Sequence, residues 1–473
     1  MCRIPGGPYD DFGQRNAKTN SRRHTSLQLP QSTEFTGIRH RSPITFATRH
    51  AEQGKGKKEV VGVAFFWLTA FYFVYCARPA DLAPGLGDFQ PAKITGALAT
   101  LSLLLTLGRT PRRLKDLPKE GVYLLLLVFL LFASSLLSPV WRGGAFFTTL
   151  DFAKVCVIWV LTFLLVTTFT RLKKIIFLQS ASVAVISFAA IVRGRSVPRL
   201  EGVIGGFYSN PNDMAFAIVL SMPFCLAFLL TARGLLRKAL WTAGLLVMMA
   251  ALILTASRAG FIDLVIAGAV MLWLFAVKGR RPFLIFGAGV LLIGLFLASG
   301  RELAVRFNGI FGSGTTEEQD SAHESYEERK TLMNKALDAI VHYPILGVGP
   351  GDFVVYSGMW REVHASYLQI AADGGIPVLI LYLLFFARGF VNLRLLRREK
   401  GLDRETILFV DALKGSLVGF VVGAWFAPEA YQYFPYFAVC YTSVLLALVK
   451  EREPSELPAS NLVISLPHSA RAY

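Results

Sequence analysis

The sequence predicts an all-α polytopic membrane protein of about twelve transmembrane helices, with one large external loop between the ninth and tenth. Three observations carry this. Of 473 residues, 53% are hydrophobic and only 17% charged, less charge than a soluble chain of this length needs at its surface. Apolar runs close to the length that a ~30 Å hydrocarbon core demands of a helix recur along the chain. Basic clusters fall between them at every second connection.

The runs lie near 59–77, 92–107, 121–138, 152–170, 174–192, 212–231, 236–255, 259–277, 281–299, 376–393, 406–426 and 432–449. The basic connections are "GRTPRRLKDLPKE", "TRLKK", "TARGLLRK", "VKGRRP" and "ARGFVNLRLLRREKGLDR". The alternate short ones carry one Arg or none, apart from "VRGRSVPRL". Because Lys and Arg are retained on the cytoplasmic side, both termini are expected there. The chain then divides into a basic, polar extension over 1–58, a membrane domain over 59–450 whose external loop is 300–375, and a cytoplasmic tail over 451–473. The extension has no apolar h-region and does not read as a secretory signal. It reads as a disordered cytoplasmic arm, or as sequence upstream of the true start codon.

The net charge of +17 would by itself suit nucleic acid, but much of the Lys and Arg lies in the short connections, where topology requires it. The five cysteines show no CxxC or zinc spacing. Four lie in or beside apolar runs, as small core or lipid-facing residues do, and no disulfide is expected.

Topology sorts the unusual residues onto one side. The external face receives "VRGRSVPRLEGVIGGFYSNPNDMA" (192–215), "ASRAG" (256–260), the whole of 300–375 and "APEAYQYFP" (427–435). Arg193, Arg195, Arg199, Arg258 and His364 thus stand where basic residues are disfavoured, which invites a functional reading.

In "SNPND", Asn210, Asn212 and Asp213 precede an apolar helix. They serve as its N-cap, and the same helix start attracts an anionic phosphate; the two readings are compatible. Arg258 is either a snorkelling anchor at a helix end or a cation for an external anion. Asp263, five residues on, lies on a different helix face and is not its partner. Within the external loop, "SAHESYEERKTLMNKALDAIVHYP" reads as an amphipathic helix with Tyr326, Met333, Leu337 and Ile340 on one face. "GVGPGDF" lacks the preceding strand and the GK[ST] ending of a nucleotide loop and reads as a tight turn. After His364, "ASYLQIAAD" forms a short interfacial helix, broken by Gly374, Gly375 and Pro377, which start the next span. A histidine there is a polar residue at a boundary or a chemical group; position alone does not decide. No DxD-like or His/carboxylate metal cluster is seen on this face. Asp213, Asp352, Asp373 and Glu429 are dispersed in sequence, although folding can gather some of them.

The order "RLEGVIGGFYSNPNDMA", "LTASRAG", "PILGVGPGDF…HASYLQIAADGGIP" resembles the O-antigen ligase family of bacterial membrane proteins, which includes O-antigen ligases and polymerases. The motif-level resemblance covers roughly residues 195–390. It implies a GT-C-like glycosyltransferase of the inner membrane. Such an enzyme takes a glycan from undecaprenyl pyrophosphate at the periplasmic face and passes it to an acceptor hydroxyl, on lipid A–core or on a second lipid-linked glycan. It further implies that no metal or other cofactor takes part, that Arg199 and Arg258 hold the pyrophosphate, and that His364 serves the acceptor. The chemistry agrees: Arg offers phosphate a bidentate fork, and neutral imidazole is available as a base. Asn210 and Asn212 at the helix start are candidate binding residues, and Tyr367 and Gln369 lie close enough to His364 to orient it or a sugar.

The alternative is a polysaccharide flippase or other secondary transporter. Charged residues inside spans and repeated halves would favour it. No half-repeat is visible, and the intramembrane charges Asp411 and Lys414 are spaced to neutralise each other.

Overall fold

In lipid a chain must satisfy its backbone polar groups within the segment, so apolar runs of this length are driven into helices. The computed structural model describes residues 55–82, 89–106, 110–193, 200, 208, 210–255, 257–290 and 316–451. Its longer helices are α1 (Lys55–Ala77), α2 (Pro91–Thr106), α3 (Lys119–Leu136), α4 (Arg142–Leu165), α5 (Phe169–Arg193), α6 (Pro211–Thr231), α7 (Leu235–Leu254), α8 (Arg258–Met271), α9 (Thr316–His342), α10 (Ser366–Arg398), α11 (Arg404–Gly423) and α12 (Tyr433–Lys450). α8 runs on through widened turns over Leu272–Val277, and 282–290 is again helical.

The protein is an all-α polytopic membrane protein. Among the described residues, nine helices are long and apolar enough to cross a membrane, and Gly62–Ala77 and Pro91–Thr106 are shorter apolar helices. The run expected at 281–299 continues past the described residues, as do most of the 1–58 extension and all but the first residue of the 451–473 tail. α1 begins four residues before the expected edge of the membrane domain, at Lys55, and α4 begins at Arg142, ten residues before its apolar run.

α12 organises the core. It is apolar all round, as a helix surrounded by others must be. Tyr436, Phe437 and Tyr441 are fully buried on it, while Trp159 of α4, also fully buried, stacks on Phe163 at 5.9 Å. α11 packs closely on α6 and α8 through Gly415, Gly419 and Gly423; a methyl group at Gly423 would come within 2.4 Å of the Phe216 ring.

Charges gather at one end of the bundle. Arg112, buried, donates to the carbonyls of Phe163 and Val166 at 2.8 and 3.1 Å and pairs with Glu451 at 2.7 Å, tying the α3 approach to the ends of α4 and α12. Lys173 of α5 pairs with Glu405 of α11. Asp411 pairs with Arg397 rather than with Lys414. The neighbouring helix outcompetes the expected same-helix partner because Asp411 is buried toward α10, whereas Lys414, three residues on, is exposed.

The opposite end carries the described part of the loop and the ends of α3, α11 and α12. There α10 is two helices in one. Gly375, at φ 80° and ψ 177°, breaks it between a short first segment and the span proper, as expected from Gly374, Gly375 and Pro377. A side chain at Gly375 would be strained at that φ and would meet the Ile345 carbonyl oxygen at 2.4 Å.

Candidate functional site

The first segment of α10, starting two residues after His364, lies across this end of the bundle. Ser366 N–H donates to the carbonyl of Ala424 at the end of α11 (2.8 Å). The Ser366 hydroxyl donates to the Ala427 carbonyl (2.7 Å) and accepts from the Glu429 amide (2.9 Å). Gln369 accepts from the Ala430 amide at 3.2 Å, and Asp373 accepts from the Tyr431 hydroxyl at 2.8 Å. At the far side Ser134 of α3 donates to the Asp373 carbonyl at 3.0 Å. The loop between α11 and α12 is thereby bolted to one helical segment, as burial of so many backbone groups requires.

The glycine-rich "GVGPGDF" is held the same way. Val348 N–H donates to the Ala372 carbonyl at 2.8 Å, Gly349 N–H to the Asp373 carbonyl at 3.0 Å, and Gly351 N–H to the Asp373 carboxylate at 3.1 Å. The Ser138 hydroxyl bridges the Val348 carbonyl (2.7 Å) and Asp352 (2.6 Å). These amides are committed within the fold, so the loop is a turn and not a phosphate cradle.

Folding gathers the dispersed acids. Glu429 is 1% exposed, and neither of its carboxyl oxygens accepts from an N–H or from a hydroxyl group. Its carboxyl meets other acids instead. Burial pushes it well above the usual carboxylate range, and Asp213 of α6 and then Glu362 push it further. Burial and then Asp213 push Glu362 up to about 6. Sequence reading names Asp213 and Glu429 only as scattered acids and does not single out Glu362, because no local spacing signals that Ser366 will carry Glu429 toward α6. Among the described residues no group of three or more His, Cys, Asp or Glu is placed to hold a metal ion.

His364 is half-buried beside this cluster in sequence. Burial lowers its pKa below the usual 6.5, Arg329 and Arg361 lower it further, and Glu328 partly offsets them. The imidazole is therefore neutral near pH 7 and able to accept a proton.

Asn210 is the N-cap of α6, accepting the Asn212 amide at 2.9 Å. Ser257 is the N-cap of α8, accepting the Gly260 amide at 3.1 Å, and its hydroxyl donates to Asn212 Oδ1 at 2.8 Å. Two helix N-termini thus stand side by side, each with partial positive charge at its end. Arg258 is the first residue of α8; its side chain, like the whole of Arg199, lies outside the described residues. Tyr367 donates its hydroxyl to the Val421 carbonyl at 2.9 Å and sets its ring 5.1 Å from exposed Trp425, so it joins α10 to α11. His342, by contrast, is exposed on α9 and bonds the Asp338 carbonyl.

A bundle of membrane-crossing helices, closed at one end by a bolted polar cap bearing a neutral histidine and mutually repelling acids, is a polytopic membrane protein with its candidate site at the water–lipid boundary. Residues 243–383, running from α7 into α10, match the family model described as O-antigen ligase. The match includes Arg258, His364 and Tyr367, and it supports an O-antigen ligase- or polymerase-like role in surface-polysaccharide biosynthesis. No curated protein matches the chain.

Proposed function

We propose that the protein transfers a glycan from undecaprenyl pyrophosphate to an acceptor hydroxyl at the periplasmic face, with both termini in the cytoplasm and no metal in the reaction. The observation that carries this reading is the Ser257–Asn212 hydrogen bond. It joins the start of α8, where Arg258 stands, to the start of α6, whose Asp213 repels the charged forms of Glu362 and Glu429. A pair of helix N-termini with an arginine suits a diphosphate.

In the proposed reaction the acceptor oxygen forms a bond to the anomeric carbon while the bond from that carbon to the phosphate oxygen breaks. His364 takes the hydroxyl proton. Arg258 and Arg199 hold the charge that develops on the departing polyprenyl pyrophosphate. Asn210 and Asn212 line the same helix start, Tyr367 bounds the acceptor side, and burial of Glu429 disfavours the charged form that would repel the diphosphate. The acceptor is lipid A–core or a second lipid-linked glycan.

The test is transfer in proteoliposomes holding a lipid-linked glycan donor and each acceptor in turn. Excess EDTA should leave the glycosidic product undiminished, and Arg258→Lys, which keeps charge but loses the fork, should remove most of it. EDTA inhibition reversed by magnesium would overturn the metal-free reading, and glycan crossing the bilayer with no new glycosidic bond would establish transport instead. A cysteine at Asn334 should react with an impermeant thiol reagent in whole cells and one at Ala232 should not; the reverse would invert the sidedness.

A further inference from the structure

α9 leaves a stripe of large apolar side chains uncovered. Tyr326, Met333, Leu337 and Val341 are 62, 44, 46 and 75% exposed. At 3.6 residues per turn these four fall within roughly 80° of one helix face. Sequence periodicity groups Tyr326, Met333 and Leu337 with Ile340 as one apolar face, but only Ile340 of that set is packed against the bundle. The buried face is a neighbouring one: Leu332, Ala336 and Ala339 are fully enclosed with Val348, Phe353, Val363 and Ala372. Small residues let α9 approach the cap closely, and the larger side chains are left pointing outward.

The rest of the helix fixes its direction. Asp338 accepts from the Tyr356 hydroxyl at 2.6 Å, Lys335 donates to the Ser357 carbonyl, and Glu328 pairs with Arg361 at 2.6 Å. At its C-terminal side, the Ile376 amide donates to the Pro344 carbonyl at 2.8 Å. Contacts at 338, 335 and 328 advance along 356, 357 and 361 toward His364, so α9 lies lengthwise beside the first segment of α10. That segment itself crosses from the end of α11 to the end of α3. α9 therefore runs along the end of the bundle rather than away from it.

The uncovered stripe also meets the lipid-facing surface of the bundle. Beyond Val341 it reaches Ile345, 70% exposed, which abuts the kink at Gly375. On the far side of that kink Ile376, Ile380, Leu383 and Leu384 are 42, 51, 46 and 42% exposed along the outer face of the α10 span. An apolar path thus passes without a break from a membrane-spanning helix onto a loop helix. Lys330, half-exposed on the same side of α9, has the long stem that lets an ammonium reach a headgroup phosphate.

We propose that this face of α9 rests in the bilayer surface, so that the loop helix is an interfacial anchor whose partner is the lipid itself. Water would leave the stripe unsatisfied, whereas the headgroup–acyl boundary accepts an apolar face roughly 5–10 Å deep. Anchored there, α9 fixes the height of Arg329 and of the cap carrying His364 above the membrane. The inference is independent of the reaction proposed above and of which side of the membrane the cap faces.

The full chain, with its native cysteines replaced by alanine, is given single cysteines at Met333, Leu337, Val341 or Thr331, labelled with an environment-sensitive fluorophore and reconstituted into phosphatidylethanolamine–phosphatidylglycerol vesicles. The four labelling positions are on the surface of α9, Thr331 on a face turned away from the stripe, so labelling leaves the packing of the cysteine-free chain as it is. Labels at Met333, Leu337 and Val341 should emit at shorter wavelength than the label at Thr331. They should be quenched by a lipid carrying a nitroxide near the top of its acyl chain and shielded from iodide, with Thr331 showing the opposite pattern. Iodide quenching at all four positions alike would put the face in water and overturn the proposal. Shielding of the three from both quenchers would mean that protein, such as a second copy of the chain, covers the stripe, and would overturn it equally.

Discussion

The Ser366 hydroxyl accepts the Glu429 amide at 2.9 Å and donates to the Ala427 carbonyl at 2.7 Å. One buried hydroxyl thus ties the helix start beside His364 to the backbone of Glu429, an acid of the cap that is only 1% exposed. Ser366→Ala removes both bonds and leaves a buried donor and acceptor unmatched, at a cost of about 1–3 kcal/mol. The unfolding temperature in detergent should fall, transfer should fall with it, and Ser366→Thr should recover much of both. Wild-type stability in Ser366→Ala would show that the bolt carries no weight.

His364→Gln keeps size and hydrogen bonding but cannot accept the acceptor's proton. Transfer in proteoliposomes should drop by about 10²–10⁴-fold with the unfolding temperature unchanged. His342→Gln, exposed on α9, is the control and should retain activity. Equal behaviour of the two variants would remove His364 from the chemistry.

The acidic limb of the pH–rate profile reports His364. Its pKa lies below 6.5 because burial and the two arginines oppose its cationic form, so activity should persist below pH 6.5 and fail as pH drops through the lowered value. Arg329→Gln removes a cation that lowers the pKa, and the limb should move to higher pH. Glu328→Gln removes an anion that raises it, and the limb should move to lower pH. Shifts in the same direction, or none, would assign the limb to another group.

Gly375→Ala should destabilise the protein far more than an average surface change. A backbone at φ 80° and ψ 177°, open essentially to glycine, costs an L residue roughly 1–3 kcal/mol. The added methyl group would also stand 2.4 Å from the Ile345 carbonyl oxygen. Thermal unfolding of the variant should begin at lower temperature, and protease cutting within 344–376 should increase. Unchanged unfolding would mean that the kink relaxes freely.

The apolar runs, their spacing and the break before Pro377 were legible in the sequence because in lipid a helix is dictated locally: each backbone group finds its partner four residues away. The caps Asn210 and Ser257 are likewise local events, and Asn210 was read as one. His364 could be singled out by its place between a polar loop and a span, and Arg258 by its place at a helix start. What only tertiary structure decided depends on contacts between distant segments. Asp411 turned to Arg397 instead of Lys414, because burial against α10 outweighs helical proximity. Asp213, Glu362 and Glu429 met because the α11–α12 loop is bolted to Ser366, an association no periodicity encodes. On α9 the apolar period was visible, but which part of that arc packs and which stays bare was set by the small side chains of Ala336 and Ala339, which alone allow close approach to the cap.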